Sequence, residues 1–254
     1  MRIAASLMLA LALSACAGNQ QRGPRPEIID RALRNAPGEA QPGKIVAREV
    51  EYARTAKETG QFAAARAFAG PGAVYHGRNG IVPAIALLDT IKEEPETSVQ
   101  WGPKAVVISC DATLAVSQGR YQDADGIVGN YVTVWKRDRA TREYNWIYDV
   151  AGPDVPQPPK RENEAIEGPA IVVTSIDAVQ GLIADCPKRG EATPAPPAVS
   201  LAGDADQGGG VSPDGTLRWR WEHRTDGTKY VAADYLYQGE WQTVIEEGLT
   251  SPAE

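Results

Sequence analysis

Histidine is almost missing from this chain of 254 residues. There are two, His76 and His223, and neither stands at metal-ligand spacing from a second donor. The three cysteines form no Cys-x-x-Cys pair, so zinc, haem attachment and iron–sulfur chemistry lack a ligand set, and no metal or cofactor is expected. Asp204 and Asp206 beside Gly208 have the look of an opening calcium loop, but the closing glutamate is missing. No phosphate-cradling glycine motif and no Gly-x-Ser-x-Gly elbow occurs. Positive charge is in deficit, with 26 Lys and Arg against 33 Asp and Glu and a net charge of −7. That excludes a nucleic-acid partner, which needs a basic face, and a polybasic mode of membrane attachment. Beyond the N-terminus no apolar run reaches the ~20 residues that cross a bilayer.

What is present begins at the N-terminus. One arginine precedes an apolar run over residues 3–13, and Leu13-Ser14-Ala15-Cys16 resembles the lipobox of bacterial lipoproteins. The resemblance implies cleavage before Cys16 and acylation of its thiol. The lipid would then anchor the chain to the periplasmic face of the cell envelope, at the outer rather than the inner membrane. An ordinary secretory signal with an incidental cysteine also leads out of the cytoplasm. With Cys16 lipidated, Cys110 and Cys186 remain in an oxidising compartment. A bond between them would contribute ~4 kcal/mol in the chain-entropy model, and two free buried thiols are equally open.

Residues 16–43, punctuated by proline and glycine, read as a tether. Val46, Val50, Ala53 and Ala56 then fall at helical spacing, Thr59-Gly60 breaks the run, and residues 61–68 resume it. A third helix starts near Pro83 and ends before Pro95. Strands follow at 99–108, where Gly102-Pro103 suggests a bulge or an edge, and at 113–122, 127–136 and 143–150. In the third of these, Tyr131, Thr133 and Trp135 share one face while Val132 and Val134 share the other, which implies cover on both sides. In the fourth, Tyr144, Trp146 and Tyr148 share a face. Further on come a strand at 170–175, a short helix at 176–185 and an irregular loop at 187–215. Three strands joined by Asp226-Gly227 and Gln238-Gly239 turns close the chain. The order of turns in this tail echoes the first sheet, with Asp214-Gly215-Thr216-Leu217 against Asp111-Ala112-Thr113-Leu114.

Three helices with a glycine break and the string Gly119-Arg120-Tyr121…Asp125-Gly126…Gly129-Asn130-Tyr131-Val132-Thr133-Val134-Trp135-Lys136-Arg137…Trp146-Ile147-Tyr148-Asp149 resemble the nuclear transport factor 2-like superfamily, in its SnoaL-like bacterial branch. The resemblance implies an α+β fold, a cone-shaped domain of three helices on a curved antiparallel sheet over residues 44–153. A Pro-rich linker at 154–169 and a C-terminal antiparallel β extension at 170–254 would follow, the extension packed on the first domain.

Trp101, Tyr121, Tyr131, Trp135, Trp146 and Tyr148 are the aromatic candidates for lining such a cone, or for filling it as plain core. In catalytic relatives a pocket carboxylate acts as base, which makes Asp149 and His76 the candidates here; a strand-end aspartate and a loop histidine are the plainer alternatives. Trp219 and Trp221 read either as a sugar platform or as the buried side of a sheet. The function expected is non-catalytic binding of a small apolar ligand or a partner. The alternatives are a SnoaL-like isomerase or cyclase using a pocket acid, and a homodimerising structural module. What occupies the cone discriminates among them.

Overall fold

The computed structural model describes residues 39–159, 178–188, 190, 192–199 and 204–251. The signal, the lipidation site Cys16, most of the tether and the strand expected at 170–175 lie outside the described residues. Helices α1 (Pro42–Thr59), α2 (Gln61–Phe68) and α3 (Ala84–Thr90) accompany strands β1 (Ala69–Gly77), β2 (Gly80–Pro83), β3 (Gln100–Ile108), β4 (Leu114–Gln122), β5 (Val128–Arg137) and β6 (Tyr144–Pro153). Then come β7 (Gln180–Ile183), β8 (Asp206–Val211), β9 (Leu217–His223), β10 (Lys229–Tyr237) and β11 (Glu240–Leu249). The class is mixed α+β.

Seven strands form one sheet in the order β2-β1-β6-β5-β4-β3-β7, and four form a second in the order β11-β10-β9-β8. The large sheet is covered on both faces. On one, Val106, Ile108, Ala115, Trp135 and Trp146 pack against Ile45, Phe68, Ala84 and Leu88 of the helical layer. On the other, Val107, Val116, Val132, Val134 and Val150 pack against Leu217, Trp219, Val231, Ala233 and Ile245 of the second sheet. The alternation along β5 leads directly to this three-layer arrangement, because each face needs its own cover.

Several expectations are corrected. The apolar stripe of α1 is rotated: Ile45, Glu49 and Ala56 are its buried residues, and Val50 is 59% exposed. A carboxylate holds the core position because three donors meet it there, as described below. Residues 180–183, expected in a helix, form β7 and add in parallel to β3 beside Ala105–Ile108. The irregular loop expected at 187–215 contains β8. Its glycine run forms a strand because tryptophans lie across it: a Cβ on Gly208 would stand 2.8 Å from the Trp221 indole nitrogen. The bulge suggested by Gly102-Pro103 falls between Pro103 and Ala105.

Cys110 and Cys186, left open as bonded or free, are joined by a disulfide with Cα atoms 5.1 Å apart. It follows the ends of the paired strands β3 and β7. Across a separation of 76 residues the chain-entropy contribution is ~4 kcal/mol.

Candidate functional site

Between the helices and the large sheet lies a cavity of about 450 Å³. Tyr52 of α1, Phe62 and Ala65 of α2, and Leu87, Leu88 and Ile91 in and after α3 form its helical side. Tyr75, Trp101, Tyr121, Tyr131, Thr133, Trp135 and Asp149 form its sheet side.

A bulge in β6 decides which side chains reach it. Trp135 pairs with Trp146, but the next pair is Val134 with Tyr148, so Ile147 is an extra residue. The faces therefore switch between Trp146 and Tyr148. Trp146 joins the helical core and donates its indole N–H to the Ala65 carbonyl at 3.0 Å. Tyr148 faces the second sheet, its ring 4.9 Å from Trp219. Asp149, one further on, turns back to the cavity between Tyr75 of β1 and Thr133 of β5. The expectation that Tyr144, Trp146 and Tyr148 share a face is corrected by that one residue, and so is a solvated strand-end Asp149.

Asp149 accepts a hydrogen bond from Thr133 Oγ1 at 2.6 Å, and among the described residues no ion pair meets it. Enclosure by protein pushes its pKa up to about 6, against the Thr133 hydrogen bond and the charge of Lys229. The Tyr52, Tyr75 and Tyr131 hydroxyls, all held above their ordinary range mainly by burial, feel its charge.

Behind the cavity wall stands Glu49. Its carboxylate accepts from Ser117 Oγ, from the Tyr131 hydroxyl at 2.7 Å and from Trp135 Nε1 at 3.2 Å. Burial raises its pKa to about 7 in spite of these three donors, and Asp149 adds repulsion. Glu49 thus orients two rings that line the cavity. Tyr131 reaches it only because β4 carries Gly119 beneath the ring, where a Cβ would stand 2.7 Å from the hydroxyl.

Of the aromatic candidates, Trp101, Tyr121, Tyr131 and Trp135 line the cavity; Trp146 and Tyr148 do not. His76, placed by its sequence in a loop at a pocket mouth, lies instead within β1 and is buried against the second sheet. Its Nδ1 is 2.7 Å from the Tyr148 hydroxyl and its Nε2 is 3.0 Å from His223 Nδ1. It cannot serve Asp149, which opens on the opposite face. Trp219 and Trp221 are likewise interior, packed between the sheets. Sequence reasoning missed Tyr52, Phe62, Tyr75 and Glu49. The signal was partly there: Glu49 and Tyr52 fall on one helical stripe with Ile45 and Ala56.

Among the described residues no cluster of three or more His, Cys, Asp or Glu side chains is placed to hold a metal ion, and no helix is long and apolar enough to cross a membrane.

No protein-family model matches the sequence, and no curated protein does either. Among solved structures, a chain from Exiguobacterium sibiricum 255-15, described as a Ca/calmodulin-dependent kinase II association domain, is 16% identical over 44% of this chain and 91% of its own, with a TM-score of 0.33. A likeness of that size carries no functional argument.

Proposed function

We propose that this protein is a bacterial envelope lipoprotein, tethered through Cys16, whose nuclear transport factor 2-like cone binds a small molecule without transforming it. The second sheet, β8–β11, serves as a β extension that covers the far face of the large one. The observation that carries this reading is the open cavity of about 450 Å³ under seven aromatic rings, a size and lining suited to a compact ligand. Side chains filling the same space would instead have favoured a purely structural, dimerising role.

The test is native mass spectrometry of the soluble chain from Ala17 onward, isolated from the periplasm. A co-purifying small molecule is expected, and it should be lost from a Tyr52→Ala/Trp101→Ala double variant that remains folded. A ligand retained by that variant, or a bare chain in every preparation, would sink the reading.

One observation favours a second reading, a SnoaL-like enzyme that abstracts a proton beside a carbonyl. Asp149 is an enclosed acid with a pKa near neutrality and with tyrosine hydroxyls around it. Under that reading the bound molecule would come back chemically changed, and Asp149→Asn would return it unaltered.

A further inference from the structure

We propose that the ligand class of this cavity is a small organic cation, an ammonium group seated against the Tyr52, Tyr75 and Trp101 rings with the Asp149 carboxylate as its counter-ion. The inference rests on the binding reading above and narrows it to one chemistry.

Charge makes the first argument. The lining contains two carboxylates, Asp149 inside and Asp123 in the β4–β5 turn, and neither lysine nor arginine. An anionic ligand would meet repulsion and find no cationic partner. Asp123 is occupied, since its Oδ1 accepts the backbone N–H groups of Asp125 and Ile127. Asp149 is not: Thr133 supplies one hydrogen bond, and the other oxygen takes none among the described residues. The cation nearest in effect, Lys229 of β10, donates its ammonium to the Ala151 carbonyl at 2.7 Å and makes no ion pair with Asp149.

The rings make the second. Tyr52 stands edge-on to Trp101 with centroids 4.8 Å apart and edge-on to Trp135 at 6.5 Å. Tyr52 is also stacked on Phe68 at 4.9 Å, so one of its faces is taken, but Tyr52, Tyr75 and Trp101 all line the space and together offer it π surface for an ammonium that has shed its water. A neutral ligand would fill the same volume but cover the free carboxylate oxygen without giving it a partner. Glu49 and the Tyr131 hydroxyl stand behind this wall on α1 and β5, and Glu49, its pKa raised by burial to about 7, adds negative potential only as it ionises near and above neutrality.

The experiment is a titration of the soluble chain, read by the fluorescence of Trp101 and Trp135 and by calorimetry. It uses three probes: choline, its neutral isostere in which a tert-butyl group replaces the trimethylammonium, and the tert-butylacetate anion. Choline is expected to bind about tenfold or more tighter than the isostere, and the anion not to bind. In Asp149→Asn that preference should collapse, with choline binding more weakly and the isostere no more weakly than before. The unaltered protein supplies a check that needs no variant: choline affinity should rise from pH 5 to pH 7 as Asp149 ionises, and that of the isostere should not. Equal binding of choline and isostere would overturn the cation assignment and leave the small-molecule reading standing. Binding of none of the three, together with a bare chain by mass spectrometry, would overturn both.

Discussion

Three ionisable side chains enclosed by protein set the pH behaviour of individual sites, and they pull in opposite directions. Asp149 and Glu49 have pKa values raised by burial to about 6 and about 7 from 3.8 and 4.5. The folded state therefore holds their protons more tightly than the unfolded state. The stability each contributes is full below its unfolded value and is lost as pH rises through its folded value. Asp149→Asn should accordingly stabilise the fold by about 1–3 kcal/mol at pH 8 and by little at pH 4, since Thr133 can still donate to the amide oxygen. Urea unfolding at the two pH values measures this. A gain independent of pH would mean that the carboxyl is not strained by its enclosure.

At the scale of elements, two turns repeat in hydrogen-bonded detail. Between β3 and β4, Ser109 N–H bonds the Leu114 carbonyl and Ala112 N–H bonds the Ser109 carbonyl. Between β8 and β9, Ser212 and Leu217, and Gly215 and Ser212, do the same. Ala112 and Gly215 hold the same left-handed position, with φ of 58° and 71°. Each aspartate accepts from the serine and threonine of its own turn. The two turns also bind each other: Asp214 Oδ2 accepts Asp111 N–H at 2.7 Å, and Thr216 Oγ1 accepts Cys110 N–H at 3.0 Å. Asp214 thus serves two hairpins and Asp111 one. Asp214→Ala should cost about 2–3 kcal/mol and Asp111→Ala about 1 kcal/mol less. Thermal unfolding of the two variants tests the order. A larger loss for Asp111 would show that the docking of the turns matters little.

Across the whole molecule, the only two histidines of the chain meet in the layer between the sheets, His76 from β1 and His223 from β9. Burial, then the neighbouring His223 and Lys229, lowers the His76 pKa from 6.5 to about 4. For a base held neutral in the fold, stability is full above 6.5 and declines as pH falls toward 4, because the unfolded chain takes up the proton more readily. Near-ultraviolet circular dichroism, sensitive to Trp219 and Trp221 at this interface, should change as pH falls through about 4. A His76→Gln variant should lack that step. An identical step in the variant would assign it to the carboxylates instead.

Much of this architecture was legible in local pattern. The helix break at Gly60, the strands around Asp125-Gly126 and Asp226-Gly227, and the two-faced burial of β5 follow from periodicity and turn chemistry, which act over a few residues. The echo between the turns at Asp111 and Asp214 was visible for the same reason. The site was not. One extra residue at Ile147 reverses every side chain after it, and no local signal in Trp146-Ile147-Tyr148-Asp149 marks where the extra residue falls. Glu49 is polar by composition and buried by context, because Ser117, Tyr131 and Trp135 converge on it from strands 68 to 86 residues away in sequence. Short-range pattern determines elements and their faces. Which acid closes a cavity, and which histidine is locked away from it, depends on how distant strands align, and only the tertiary structure decides that.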